Sequence, residues 1–226
     1  MAGQNLMQRF KGTFVGRALR AARRRLRLWR WRAGGSPVPP PDSVKQITVL
    51  RYAKAFRLRT FVETGTFMGA MVEAVRTTFH RVVSIELDPA LSRRARERFA
   101  SFPHVTVLEG DSARLLPQVL AGLNEPALFW LDAHFSGGAT AKGDLETPII
   151  QELDGILNHA VRNHVILIDD ARCFVGANDY PTVDSVRTTV LSRRPGWTFE
   201  VRDDIIRIHP APADRENPLT TAHRPL

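Results

Sequence analysis

The chain has 226 residues, enough for one domain plus an appendage, and 43% of them are hydrophobic, enough for a real core. A single cysteine, Cys173, excludes an internal disulfide and a cysteine-based metal cluster, and no stretch approaches the roughly 20 apolar residues of a membrane span. The net charge of +9 is segregated: residues 1–41 carry ten Lys and Arg and no acid, which leaves 22 basic against 23 acidic residues in 42–226, so basicity is a property of the tail alone.

Within residues 1–33, Leu6, Phe10, Phe14, Ala18, Ala22 and Leu26 recur every four positions, with Arg17, Arg20, Arg23, Arg24, Arg27 and Arg30 between them and Trp29 and Trp31 at the end. The pattern predicts a basic amphipathic helix suited to an anionic membrane surface. Contact with nucleic acid, an Arg-rich organellar transit peptide and a solvated, disordered tail are the other readings. The absence of an apolar h-region argues against a secretory signal, and the lone cysteine fits a reducing, cytoplasmic location. Residues 34–43, with Gly34-Gly35-Ser36-Pro37 and Pro39-Pro40-Pro41, read as a linker, and 44–209 as the folded domain.

Asp42 or Ser43 is expected to cap a helix of about 44–57, with Ile47, Leu50, Tyr52, Ala53 and Phe56 facing the first strand. Thr60-Phe61-Val62 reads as that strand, followed by Glu63, a turn bracketed by Gly65 and Gly69, and a helix from Met71. Strand, glycine turn and helix form the ligand-cradling unit of doubly wound α/β folds, although many such glycines serve packing alone. Further strands are predicted at 81–86, 105–109, 127–132 and 165–169, the last two apolar enough to be buried on both faces. Helices are predicted at 89–99, from 112 to about 120, from Pro148 onward and at about 182–193, and two strands around Asp203-Asp204 form a terminal hairpin. The expected fold is therefore a seven-stranded, doubly wound, mostly parallel Rossmann-like α/β sheet with an antiparallel hairpin at one edge. Residues 210–226 read as a flexible tail.

Acids recur at the strand ends: Glu63, Glu86, Asp111, Asp132 and the pair Asp169-Asp170. A lone acid there is ordinarily a helix cap or a surface charge. Several on the rim where parallel sheets bind ligands point to a site for hydroxyls, amines or a cation. Glu86 follows Gly65 by 21 positions, the spacing at which dinucleotide-type folds hold ribose hydroxyls, and Asp111-Ser112 is placed to reach a base edge.

Glu63-Thr64-Gly65-Thr66-Phe67-Met68-Gly69, then Ser84-Ile85-Glu86-Leu87-Asp88, then Glu109-Gly110-Asp111-Ser112, within a sheet ending in a hairpin, resemble the class I S-adenosylmethionine-dependent methyltransferases over about 44–209. The resemblance implies that Glu63, Thr64, Gly65, Thr66 and Gly69 face the methionine part of the cofactor, Glu86 its ribose, and Asp111 and Ser112 its adenine. One position departs from the family pattern: the middle glycine of G-x-G-x-G is Phe67. The strand ends at Trp130-Leu131-Asp132-Ala133-His134 and Ile168-Asp169-Asp170 look like those of the metal-dependent O-methyltransferases. There Asp132, Asp169 and Asp170 would hold Mg²⁺ or another divalent cation against an acceptor hydroxyl. His134 is then a candidate general base, or else a structural histidine. Residues 136–143 form a small-residue loop whose Lys142 meets an anionic substrate group or faces solvent. Cys173 reads as core rather than nucleophile.

The leading reading is thus a methyltransferase acting on a hydroxylated small molecule or sugar. A non-catalytic domain with a working basic tail, and an α/β enzyme using the acidic rim for aminopropyl transfer or hydrolysis, remain open. The missing G-x-G-x-x-G spacing argues against a nicotinamide enzyme.

Overall fold

A computed structural model describes residues 14–132 and 147–211. Seven strands form one sheet in the order β3-β2-β1-β4-β5-β7-β6. The parallel strands are β1 (Thr60–Thr64), β2 (Arg81–Glu86), β3 (Val105–Glu109), β4 (Ala127–Leu131) and β5 (Val165–Ile168). The antiparallel pair β6 (Thr198–Arg202) and β7 (Ile205–His209) closes one edge. The helices are α1 (Phe14–Ala33), α2 (Asp42–Ala55), α3 (Ala70–Val75), α4 (Pro89–Phe99), α5 (Ser112–Ala121), α6 (Ile149–Asn158) and α7 (Val183–Arg193).

Side chains on a strand alternate between its two faces, so each central strand feeds two cores. On β4, Phe129 and Leu131 pack with α5, α6 and α7 through Leu116, Ile156 and Val190. Leu128 and Trp130 pack on the other face with Tyr52 of α2, Val72 of α3 and Phe99 of α4. This is why β4 and β5 read as unbroken apolar runs: both faces are covered. The edge strands β3 and β6 keep exposed positions instead.

The predicted elements recur with three local differences. The helix α2 starts at Asp42, with Pro41 as the flanking residue and no side-chain cap, so neither Asp42 nor Ser43 caps it. Its buried face is Val44, Thr48, Val49, Tyr52 and Ala53, while Ile47, Leu50 and Phe56 are only partly covered. The end of α1 is not a free tail either. Trp31 is buried, and its indole N–H donates to the Pro37 carbonyl at 2.8 Å.

The turn after β1 bends through three positive-φ residues, Gly65 (84°), Phe67 (45°) and Gly69 (69°). Gly69 precedes α3, and a Cβ there would lie 2.9 Å from Cε2 of Phe99, so the glycine serves the approach of α4. Phe67 holds a left-handed conformation unfavourable for an aromatic residue. Gly69→Ala combines the φ penalty with that contact and should lower stability by about 1–3 kcal/mol in denaturant unfolding, whereas Phe67→Gly should leave it unchanged or raise it.

Candidate active site

The parallel strands end on one rim, and the sheet order reverses between β1 and β4, the switch point where such sheets form a ligand crevice. Register fixes which groups meet there. Thr64 pairs with Leu131 and Leu131 with Ile168. The ladder runs one step further, with the Asp132 N–H donating to Thr64 O and the Asp169 N–H to Leu131 O, both at 3.0 Å. Asp132 and Asp169 are thereby forced side by side.

On the β1–β2–β3 side, the buried Glu63 carboxyl accepts from the Ser84 hydroxyl at 2.5 Å, and Ser84 shares a 2.6 Å bond with the Thr66 hydroxyl. Burial first, and then the charges of Asp132 and Glu86, push the Glu63 pKa well above the usual range against the pull of Ser84. Glu63 therefore sits beneath the glycine turn and braces it. The two oxygens of Glu86 accept from backbone N–H groups, Phe67 at 2.7 Å and Asp88 at 3.0 Å, which ties the end of β2 to the same turn. Asp111 caps α5 by accepting from the Ala113 N–H at 2.9 Å, so part of its capacity is used by the helix. Thr64 and Ser112 are buried, and their hydroxyls face inward.

On the β4–β5 side, one oxygen from each of Asp132, Asp169 and Asp170 can be chosen so that all lie within 4.8 Å of one another. Such a set of hard oxygen donors fits a small divalent cation. The chain also sends a cation of its own. Lys45, on α2, places Nζ 2.5 Å from Oδ2 of Asp169 and 3.4 Å from Oδ1 of Asp170. Arg172 pairs with Asp170 at 2.7 Å and with Asp204 of the β6–β7 turn. Burial opposes the Lys45 charge, but Asp169 and Asp170 outweigh it and raise the lysine pKa. Asp169 is pushed up to about 8 by burial and by Asp132 and Asp170, with Lys45 pulling the other way. Asp170 itself adopts a left-handed φ of 53°.

On the β4–β5 side lies a small cleft whose polar lining is Asp132, Thr147, Glu152, Asp169 and Tyr180. The residues that sequence reasoning missed are Lys45 and Glu152. Glu152 had a visible signal, an acid on the apolar stripe Ile149, Leu153, Ile156 of α6. Lys45 had none, because its partners are 124 and 125 positions away. His134, Lys142 and the loop 136–143 lie outside the described residues. Cys173 is partly exposed on a 3-10 turn, with its thiol pKa raised by burial and then by Asp170, which is not an activated nucleophile.

No protein-family model matches the chain. An O-methyltransferase from Bacillus cereus, solved with S-adenosylhomocysteine, aligns over 82% of this chain and 90% of its own, with TM-score 0.55 and 16% identity. The O-methyltransferase TomG from Streptomyces achromogenes, solved with S-adenosylmethionine, aligns over 79% and 84%, with TM-score 0.55 and 19% identity. The chain has the class I methyltransferase fold. In sequence, a ribosomal RNA small subunit methyltransferase A from Acidobacterium capsulatum is 43% identical over 70 residues, 31% of this chain, which spans a quarter of that relative's length.

The Lys45–Asp169 pair is largely out of water, so losing one partner strands the other. Lys45→Met should cost about 2–3 kcal/mol in unfolding free energy. Adding Asp169→Asn to that variant should restore part of the loss, and a double-mutant cycle measures the coupling.

Proposed function

We propose that the chain is an S-adenosylmethionine-dependent methyltransferase that methylates an oxygen of a hydroxylated small molecule or sugar. The observation that carries this reading is the division of the rim. A glycine turn, Glu86 and Asp111-Ser112 stand at three successive strand ends on one side of the switch point, and an acidic cleft stands on the other. The first group suits a nucleoside with two ribose hydroxyls and an adenine edge, with Glu86 as their acceptor. The second suits an acceptor rich in hydrogen-bond donors, since the carboxyls of Asp132 and Asp169 line it. Asp132, Asp169 and Asp170 would hold Mg²⁺ or another divalent cation, which when bound makes an acceptor hydroxyl more acidic. In this reading His134 is the general base and Lys142 a contact for an anionic acceptor group. The near-neutral charge of 42–226 supports a small acceptor over RNA, whose phosphates call for a basic surface.

Calorimetric titration with S-adenosylhomocysteine, with and without Mg²⁺, tests the reading. The wild type should bind, and Glu86→Ala, checked for folding by thermal unfolding, should bind more weakly by about 1–3 kcal/mol. Unaltered affinity in the folded variant removes the ribose assignment.

The N-terminal helix supports a second, independent role as a contact with an anionic membrane surface. Among the described residues, Leu26 and Trp29 are exposed on α1 beside Arg23, Arg27 and Arg30, and no described helix is long and apolar enough to cross a membrane. Reversing Arg23, Arg27 and Arg30 to Glu should abolish co-sedimentation with vesicles containing phosphatidylserine and leave S-adenosylhomocysteine affinity unchanged. Retained sedimentation rules the role out.

A further inference from the structure

Glu152 lies in the first turn of α6 on its inward stripe, with 1% of its surface exposed. It lines the cleft between Asp132, Thr147 and Asp169. Among the described residues, neither of its oxygens has a hydrogen-bond partner of good geometry, although the Ser112 and Thr64 hydroxyls face it and partly offset its burial. The charges felt at this carboxyl, those of Asp111 and Asp132, are negative. A carboxyl held dry among like charges is costly, and packing does not require one, since an apolar side chain would continue the stripe of Ile149, Leu153 and Ile156. The group that makes sense of it is a cation that enters the cleft.

Its position identifies which cation. Thr64 ends β1 and leads into the glycine turn, Ser112 starts α5, and Asp132 and Asp169 begin the acceptor side. On the methyltransferase reading, on which this inference rests, the reacting group of the cofactor lies between those two halves. We propose that the Glu152 carboxylate is the counter-charge for the methylsulfonium of S-adenosylmethionine. The sulfonium is permanently cationic, and a fixed carboxylate attracts it far more strongly in a dry cleft than in water. The product S-adenosylhomocysteine carries a neutral sulfur at the same place and gains nothing from Glu152. The residue therefore selects the charged methyl donor over the spent one.

Calorimetric titrations of wild type and Glu152→Gln with S-adenosylmethionine and with S-adenosylhomocysteine separate the outcomes. The substitution should weaken S-adenosylmethionine about ten-fold or more, the order expected for one charge-assisted contact, and leave S-adenosylhomocysteine within about three-fold. A parallel loss for both ligands, or no loss for either, overturns the proposal. If the variant does not fold, the wild type is titrated with the analogue that carries a protonated amine in place of the methylsulfonium. Binding at least about ten-fold tighter than S-adenosylhomocysteine supports the counter-charge, and equal binding overturns it. A wild type that binds none of the three ligands instead removes the methyltransferase reading, and this inference with it.

Discussion

The constraint on which the site depends is that carboxylates are held at the ends of strands buried on both faces. Hydrogen bonding in register places Asp132 and Asp169 side by side, and the following residue adds Asp170. Water cannot screen them fully there, so each acid must be met by a positive group, a donor or a proton. The chain uses all three. Lys45 and Arg172 bring charge, Ser84 and the backbone of Phe67 and Asp88 bring donors, and burial favours the proton on Glu63. The elements around the rim follow from this requirement. The helix α2 delivers Lys45, and the β6–β7 turn delivers Asp204, which holds Arg172 through its backbone N–H and its guanidinium.

The two halves of the rim solve the problem differently. On the β1–β2–β3 side the acids are engaged by local backbone and hydroxyl groups. On the β4–β5 side the acids are balanced by long side chains arriving from distant elements. Lysine and arginine side chains can shift and give way, whereas a backbone N–H cannot, so the second half is the one able to change partners.

Much of this was legible in the sequence because it is periodic or local. The apolar runs Ala127–Leu131 and Val165–Ile168 announce buried parallel strands, and the glycine turn after β1 announces the crevice. Asp203-Asp204 announces the hairpin: both residues have positive φ (55° and 60°), as a two-residue turn matched to strand twist requires. The acids at the strand ends were legible for the same reason, since a charge that interrupts an apolar run is visible at once. What stayed hidden was long-range. Lys45 is one of several bases on a helix, and nothing within ten residues distinguishes it from its neighbours. Glu152 was readable in principle, as an acid on an apolar stripe, but the stripe alone does not tell a buried acid from one that reaches solvent. Gly69 was readable only as a close approach of ligand or helix, and Phe99 of α4 is the group that would meet a Cβ there.

The Lys45–Asp169 pair also bears on how the molecule comes into being. Its partners are 124 residues apart, and between them lie all five parallel strands. Contacts of such separation form late, because the intervening chain must order before they can reward it. During vectorial synthesis the ammonium emerges first, on a helix whose exposed lysine is harmless to a nascent chain, and the acids emerge last. Were the order reversed, the acidic strand ends would have to wait, partly desolvated, for their counter-charge. As it stands, β5 is inserted beside β4 with a cation already in place, and the acidic rim closes only when nearly the whole sheet has been laid down.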